Sequence, residues 1–327
     1  MRVKVCLWIL TIVLLASVPT VVAQQAAKIP RIGYLTAASL SSIAPRTERF
    51  RQGLRELGYI EGKTIAIEWR AADYKSERMS ALASELVNLG VDVIVSGGRG
   101  ATEAAKKATS TVPIVMTQDS DPIADGFVKS LAQPAGNITG LSTLAPELSG
   151  KRLEILKEVV PNLSRVAVFG LSARASDAQV KKELDNAAAA VGLKLQFFNV
   201  STPKDIEAAF SAAAQWRANG GLTLDRAVFT AHREKLAALA AGHRLPVMYA
   251  TSAHPAAGGL MAYAPDTLIS DHRAATYVDK ILKGTKPADI PVEQPIKFEF
   301  VVNLKAAKQI GLTIPPNVLV RADRVIK

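Results

Sequence analysis

The chain has 327 residues, of which 49% are hydrophobic, 21% charged and 6% aromatic, and its formal net charge is +11. This composition suits a globular protein of one or two domains, and a chain of this length needs no disulfide or metal ion to stabilise it. Lysine and arginine are scattered beside aspartate and glutamate rather than grouped in runs, which argues against a nucleic-acid partner.

The first 23 residues have the pattern of a cleaved secretory signal. Arg2 and Lys4 form a basic start, an apolar run follows from Val5 to Ala16, and the segment closes on the small residue Ala23. The alternative is a membrane anchor, but the run is shorter than the ~20 residues of a spanning helix. We therefore predict a signal peptide over residues 1–23 and a mature protein in the periplasm.

Export has consequences for charge and redox chemistry. Loss of the segment lowers the net charge from +11 to +9, since it holds two basic residues. The single cysteine, Cys6, precedes the apolar run, so it is not a lipid-bearing residue behind a cleavage site. The mature chain then has no disulfide in an oxidising compartment.

From Ile29 onward, strand patterns alternate with amphipathic helix patterns. Glycines at positions 58 and 90 are typical helix stops. In chain order the predicted elements are strand RIGYLT, helix RTERFRQGLREL, strand TIAIEWR, helix SERMSALASELVNLG, strand VDVIVSG, helix ATEAAKKAT and strand VPIVMTQ.

The same order then repeats. The second copy reads RVAVFGL, SDAQVKKELDNAAAAVG, KLQFFNV, DIEAAFSAAAQWRANG, GLTLD, FTAHREKLAALAAGHR and LPVMYAT, and Pro246 matches Pro113. Successive β-α-β steps imply parallel strands with right-handed crossovers. We predict an α/β protein of two doubly wound lobes. A single large sheet is the alternative, but the helix and turns of Leu153–Ser164 separate the copies.

The remaining sequence does not form a third copy. It holds strand GGLMAYAPD, helix DTLISDHRAATYVDKILKG, strand KFEFVVN and helix LKAAKQIG, and we expect one strand–helix pair to return to each lobe. The N-terminal lobe then comprises residues 29–141 and 255–284, and the C-terminal lobe 146–251 and 291–327. Three crossovers follow, near Leu141–Pro146, Thr251–Pro255 and Gly284–Pro291.

The glycine-rich turn in DVIVSGGRGATEAAKKAT is the first candidate site. Gly98 and Gly100 match a dinucleotide fingerprint, but Glu103 stands where the third glycine belongs. Lys106 and Lys107 lie too far into the helix for a phosphate loop, so no nucleotide cofactor is predicted. Free backbone N–H groups near Gly100–Thr102 can hold a carboxylate, or the segment is only a tight turn.

The stretch QDSDPIADG directly follows a predicted strand. Its spacing fails as a calcium loop, because Ile123 and Ala124 occupy later ligand positions. Ligands bind at the carboxyl ends of parallel strands, where Asp119 and Asp121 would take an amine or hydroxyls. Helix capping by Asp121 is the alternative.

Catalytic and metal-binding patterns are missing from the sequence. His232 and His243 would lie about 16 Å apart along one helix, too far to share an ion. Neither G-x-S-x-G nor H-E-x-x-H occurs, and the mature chain has no cysteine nucleophile. We predict neither a metal site nor an enzyme.

A family resemblance extends over nearly the whole mature chain. It is carried, in order, by FRQGLRELGYIEGKTIAIEWR, PIVMTQDSDPIADGFVKSLAQPAGNITGLS, ELSGKRLEILKEVVPNLSRVAVF, AATYVDKILKGTKPADIPVEQP and FEFVVNLKAAKQIGLTIPP. These stretches resemble the ABC transporter substrate-binding proteins with a type I periplasmic-binding-protein fold. The resemblance implies two lobes that close on a small ligand for a membrane permease, and characterised relatives include binders of aromatic amino acids. FGLSARAS lacks the Asn-Pro often found in such proteins, and WRANGGLTLDRAVF is shortened around its strand.

We therefore predict a solute-binding protein of an ABC importer that acts as a monomer on an amino-acid-like or aromatic solute. An exported enzyme or a receptor-docking sensor with the same cleft are the alternatives. Tyr263 is expected to stack on a flat ligand. The other predicted cleft residues are Thr36, Ser39, Ser96, Gly97, Gly98, Thr102, Gln118, Asp119 and Asp121 from one lobe, and Ser172, Asp225 and Tyr249 from the other.

Overall fold

The computed structural model describes residues 29–143, 145–172 and 175–327. The predicted signal peptide, residues 1–23, lies outside these ranges. Within them, no helix has both the length and the apolar character required to cross a membrane.

The first lobe is built on a parallel sheet with strand order β2-β1-β3-β4-β5. Its strands are β1 (Arg31–Thr36), β2 (Ala66–Ala71), β3 (Val93–Gly97), β4 (Ile114–Asp119) and β5 (Ile138–Ser142). Its helices include α1 (Ala44–Glu56), α2 (Met79–Asn88) and α3 (Arg99–Ala108), with a 3₁₀ turn at Ser76–Arg78. Helices cover both faces of this sheet, which explains why its inner strands β1, β3 and β4 are almost entirely buried, whereas the edge strand β2 is only partly buried.

The second lobe has a seven-stranded sheet of order β12-β11-β10-β9-β8-β6-β7. The strands are β6 (Arg165–Phe169), β7 (Lys194–Phe198), β8 (Gly220–Thr223), β9 (Val247–Tyr249), β10 (Met261–Pro265), β11 (Phe298–Asn303) and β12 (Arg324–Ile326). Between and after them lie α4 (Ala145–Val159), α5 (Ala175–Ala190), α6 (Asp205–Gln215), α7 (Ala227–Ala231), α8 (Arg233–Gly242), α9 (Ala253–Ala256), α10 (Thr267–Leu282), α11 (Leu304–Gln309) and α12 (Pro316–Leu319). A second 3₁₀ turn lies at Pro287–Asp289.

The two-lobe α/β fold predicted from the repeat is confirmed, and the single large sheet is excluded. Each copy of the repeat forms its own parallel sheet with its own hydrophobic core. Only the β10–β11 pair is antiparallel among the described strands. Strand ends of both lobes therefore face a common cleft.

The C-terminal segments are exchanged between the lobes differently from the prediction. The predicted first-lobe segment 255–284 contains β10, but this strand pairs with β9 in the second sheet, with Met261 beside Met248. Only α10 packs on the first lobe, where its buried Ala275 and Val278 join the core. Gly53 permits this contact, because a Cβ there would lie 2.5 Å from the His272 carbonyl oxygen.

Two crossovers consequently lie elsewhere along the chain. The predicted second crossover, Thr251–Pro255, stays in the second lobe, and the chain instead crosses at Asp266 between β10 and α10. The predicted third crossover, Gly284–Pro291, does not cross between the lobes. It stays on the first lobe, where Ile290 is buried in the core. The chain crosses back only at Gln294–Lys297, between the first lobe and β11.

The crossovers lie side by side at the β5 edge of the first sheet. The Glu293 N–H donates to the Gly140 carbonyl at 2.9 Å, and the Ser142 N–H donates to the Glu293 carbonyl at 2.9 Å. Arg273 on α10 holds the Glu293 carboxylate with two hydrogen bonds of 2.9 and 2.8 Å. Asp266 donates its N–H to the Lys297 carbonyl at 3.1 Å. These bonds tie the lobe connections into one hinge.

Candidate ligand-binding cleft

The space between the lobes contains a cavity of about 470 Å³, here called the main compartment. The first lobe contributes the segments that follow β1, β3 and β4, and the second lobe contributes the segment after β8. The residues that line it include Thr36, Ile43, Arg46, Tyr74, Met79, Gly97, Gly98, Arg99, Gly100, Glu103, Lys107, Gln118, Ser120, Asp225 and Arg226. Its position at the carboxyl ends of parallel strands is where α/β sheets bind ligands.

The N-terminus of α3 forms one wall of the main compartment. Gly98 precedes the helix with φ 106°, and no side chain caps the exposed N–H groups. A side chain at Gly98 would be strained at this φ, whereas glycine adopts it freely. The predicted free donors at Gly100–Thr102 are only partly available, because the Ala101 and Thr102 N–H groups donate to the Gly98 carbonyl at 2.9 and 3.1 Å. The N–H groups of Arg99 and Gly100, with the partial positive charge of the helix start, face an anion.

The charged side chains of α3 are paired with one another. Arg99 binds the buried Asp125 carboxylate at 2.9 Å and Glu103 at 2.8 Å. Lys107 donates to Glu103 at 2.8 Å, and this hydrogen bond lowers the pKa of Glu103. Glu103 therefore stays ionised and neutralised, so it does not repel an anion at the start of its helix.

Arg46 places a second cation, fixed by an ion pair, at the cavity wall. Its Nε lies 2.6 Å from the fully buried carboxylate of Asp271 on α10, which also accepts the Tyr34 hydroxyl at 3.1 Å. Burial by itself lowers the pKa of Arg46, but attraction to Asp271 outweighs it and the net pKa is raised, with a smaller contribution from Asp225. The charge of Arg46 is thus fixed at the cleft wall.

The second lobe faces these groups with Asp225 and Arg226. Arg226 is held in place, since it bonds the Asp177 carboxylate at 2.5 Å and the Gly170 carbonyl at 2.8 Å. Asp225 is exposed, and its carboxylate accepts no hydrogen bond from any side chain in the described ranges. It is thus an available acceptor for a ligand cation.

Apolar groups complete the main compartment. Ile43 and Met79 are buried, and half-buried Tyr74 is the one aromatic ring among the described lining residues. Tyr74 has φ 62°, an unfavourable conformation for a side-chain-bearing residue, and its hydroxyl lies 2.9 Å from Ser42 Oγ. Such strain is often kept where a side chain must be placed accurately.

A second cavity of about 340 Å³ lies toward the crossovers and is here called the hinge compartment. Both compartments include Ser120, which follows β4, so they meet there. The polar residues of the hinge compartment are Ser120, Asp121, Ser142, Glu147, Gln179 and Gln294.

Five of the predicted residues line the main compartment: Thr36, Gly97, Gly98, Gln118 and Asp225. Asp121 lines the hinge compartment and also accepts the Ala124 N–H at 3.0 Å, which is the capping role considered as its alternative. Ser39 lies in an exposed turn and accepts the Ser42 N–H at 3.3 Å.

Three predicted residues form a buried network behind the cleft rather than its surface. Ser96 Oγ lies 2.7 Å from Thr102 Oγ1, and Thr102 donates to Asp119 Oδ2 at 2.8 Å. All three are fully buried. Burial raises the pKa of Asp119 to about 7, and its Oδ1 has no partner in the described structure. They position the strand ends instead of facing the cavity.

The second-lobe predictions also differ from the cavity lining. Ser172 donates to Asp177 at 2.5 Å, beside the Arg226 ion pair. Tyr249 is fully buried and stacks on His254 with ring centroids 4.7 Å apart. Tyr263 stacks on Phe298 at 5.7 Å, because its strand joins the second sheet and turns this ring into that core.

Sequence reasoning missed Arg46, Tyr74, Arg99, Lys107 and Arg226. Arg46 and Tyr74 lie on a helix and a loop, not at strand ends, and no local pattern distinguishes them. Arg226 directly follows the predicted Asp225, so including the neighbours of predicted strand ends would have found it.

Comparisons with known proteins agree with this architecture. Residues 36–326 match the family model described as ABC transporter substrate binding protein. The "Tyrosine-binding protein" of Clostridioides difficile (strain R20291) is 23% identical over 281 residues, which cover 86% of this chain and 81% of that protein.

Two solved structures are similar over their full lengths. A conserved domain protein from Vibrio cholerae O1 biovar El Tor superposes with a TM-score of 0.85 and 28% identity, covering 91% of this chain and 100% of the other. An ABC domain in complex with L-Trp from Streptococcus pneumoniae superposes with a TM-score of 0.84 and 25% identity, covering 91% and 99%. The chain shares the type I periplasmic-binding-protein fold, and proteins of the matched family bind substrates outside the cytoplasm rather than act as enzymes. The chain therefore belongs to the ABC transporter substrate-binding protein family.

Proposed function

We propose that this protein captures a small amino-acid-like solute in the main compartment, in the periplasm, and delivers it to the permease of an ABC importer. Support comes from family membership and from relatives whose names record tyrosine and L-Trp as ligands. The cavity of about 470 Å³ is within the range of small-molecule sites, about 300–1,000 Å³.

The observation that carries the proposal is the pairing of an anion acceptor with a cation acceptor across the cleft. The uncapped start of α3, with Gly98 and Gly100, receives a carboxylate from the first lobe. Gln118 adds a buried Nε2 group that has no acceptor in the described structure and lines the same cavity. Asp225 receives an ammonium group from the second lobe.

A zwitterion that bridges these groups binds the closed lobes better than the open ones, so it shifts the protein toward closure. The side chain of the solute would then contact Ile43, Tyr74 and Met79. Because one chain supplies both halves of the cleft, we infer that the protein works as a monomer, which light scattering of the purified mature protein tests.

Mass spectrometry of solutes that copurify with the native protein, followed by calorimetry with L-tyrosine and L-tryptophan, tests the proposal. Asp225→Asn should lower the affinity for the bound α-amino acid about tenfold or more, the effect of losing a hydrogen bond between charged groups. The matched control is Asp185→Asn, a surface carboxylate on α5 paired with Lys181. Equal affinity of the two variants would show that Asp225 does not hold the ligand.

Delivery to a permease needs its own test. Deletion of the gene should abolish uptake of the identified solute, and reintroduction of the wild-type protein should restore it. Binding without any uptake defect would contradict the import role and leave the binding role intact.

A further inference from the structure

The hinge compartment differs in charge from the main compartment. The main compartment is lined by four cations, Arg46, Arg99, Lys107 and Arg226, and by two carboxylates, Glu103 and Asp225, which leaves an excess of positive charge. The hinge compartment is lined by two carboxylates, Asp121 and Glu147, and by no lysine or arginine among the residues described there. The charge of the cleft wall therefore changes sign near Ser120, where the two compartments meet.

A buried polar atom without a partner in the described structure lies at this end of the cleft. Ser142 is 3% exposed and lines the hinge compartment, and its Oγ has no hydrogen-bond partner in the described structure. Buried polar groups are nearly always satisfied, so this hydroxyl indicates a missing hydrogen-bond partner.

Oxygen acceptors are available among the remaining lining groups. Asp121 uses one carboxylate oxygen on the Ala124 N–H, which leaves the other free. Gln179 on α5 of the second lobe donates its amide to Glu183 at 3.0 Å, which leaves its carbonyl oxygen available. An ammonium group has three donors and no acceptor, so it matches this set of oxygens.

We propose that the hinge compartment is a second subsite that binds a distal ammonium group of the solute, so that diamino acids such as lysine or ornithine are the substrate class. The inference rests on the proposed function, since the α-carboxylate and α-ammonium groups remain in the main compartment. The side chain then passes Ser120 and places its terminal nitrogen between Asp121 and Glu147. Because Gln179 belongs to the other lobe, the distal group also contacts both sides of the cleft.

The test compares isosteric ligands by calorimetry on the mature protein. L-Ornithine and L-norleucine differ only in the terminal ammonium, which norleucine replaces with a methyl group, and L-lysine and L-2-aminoheptanoic acid form a longer pair. We expect the diamino acid to bind about tenfold more tightly than its isostere in at least one pair. Equal affinities within both pairs overturn the inference.

Substitutions then locate the effect. Asp121→Asn combined with Glu147→Gln should reduce the advantage of the diamino acid to about twofold or less, as expected when both charges are removed, and leave L-norleucine affinity unchanged. Glu154→Gln, an exposed carboxylate on the same helix as Glu147 that pairs with Lys151, is the matched control. An advantage that persists in the double variant, or falls equally in the control, contradicts the assignment.

Ser142→Ala separates binding from folding. The Ser142 hydroxyl has no partner in the described protein, so its removal should leave the melting temperature of the ligand-free protein unchanged or higher while lowering lysine affinity about threefold. A lower melting temperature with unchanged affinity would show a structural role only. If L-tyrosine or L-tryptophan binds and no diamino acid gains affinity, the proposed function stands without the second subsite.

Discussion

The two lobes contribute to the cleft in different ways. The first lobe offers bare backbone at the start of α3 together with strand-end loops that rest on buried polar residues. The second lobe offers one short segment, which begins at Asp225 and is held by the Arg226–Asp177 pair. From this difference we propose that the first lobe recognises most of the solute, whereas the second lobe mainly responds to it by closing.

The largest expected effect tests how strongly the first-lobe wall depends on a buried ion pair. Asp271→Ala should destabilise the protein by about 3–5 kcal/mol, because it leaves the largely buried Arg46 without its counterion and Tyr34 without its acceptor. Chemical denaturation measures the loss. A change below 1 kcal/mol would show that this wall does not depend on the ion pair.

Asp119 gives the first lobe a pH dependence. The pKa of its buried carboxyl is raised from 3.8 to about 7, so the folded state keeps the proton while the unfolded state releases it. The contribution of this group to the free energy of unfolding is fully present below pH 4. It falls by roughly 3–4 kcal/mol as pH rises to 7. The stability of Asp119→Asn relative to wild type should therefore increase as pH rises from 4 to 7 and stay constant at higher pH.

Denaturation of both proteins across this pH range measures the difference, with Asp185→Asn as an exposed control. A constant stability difference between wild type and Asp119→Asn at every pH would show that Asp119 titrates normally.

The second lobe should be more tolerant. Asp177→Ala breaks the Arg226 pair, but Arg226 keeps its hydrogen bonds to the Gly170 and Asp225 carbonyls, so it retains partners for its charge. We expect a loss of about 2 kcal/mol, less than for Asp271→Ala, together with weaker solute binding. If denaturation shows the second-lobe variant to be the less stable one, the two lobes have been ranked in the wrong order.

The smallest effect concerns two glycines of the same turn. Gly98→Ala is strained at φ 106° and should cost about 1–2 kcal/mol and weaken solute binding. Gly100→Ala meets no atom within 4 Å of its Cβ and lies within α3, so it should stabilise the helix by up to about 1 kcal/mol. Thermal unfolding and calorimetry of the pair separate the two effects, and equal stability would exclude backbone strain at Gly98.

The sequence predicted the elements and the repeat more accurately than the exchange of segments between lobes. Periodicity predicts that Met261–Pro265 forms a strand, but its apolar residues suit either sheet. The choice depends on long-range contacts, namely pairing with β9 and β11, which no local pattern contains.

Strand ends located the cleft but not the direction of each side chain. Successive residues of a strand point to opposite faces, so Gly97 lines the cavity while its neighbour Ser96 bonds Thr102 behind it. Arg46 and Tyr74 reach the cleft through a helix position and an unusual backbone conformation, and both depend on tertiary packing.

The backbone bonds of the third crossover also protect a sheet edge. β5 ends the first sheet, and an uncovered edge strand is a template for aggregation with other chains. Glu293 pairs with this strand beside Leu141, so the segment that joins the lobes also caps the edge. A fragment that ends after β5 lacks this cover, and the first lobe therefore depends on residues near the end of the chain to stay soluble on its own.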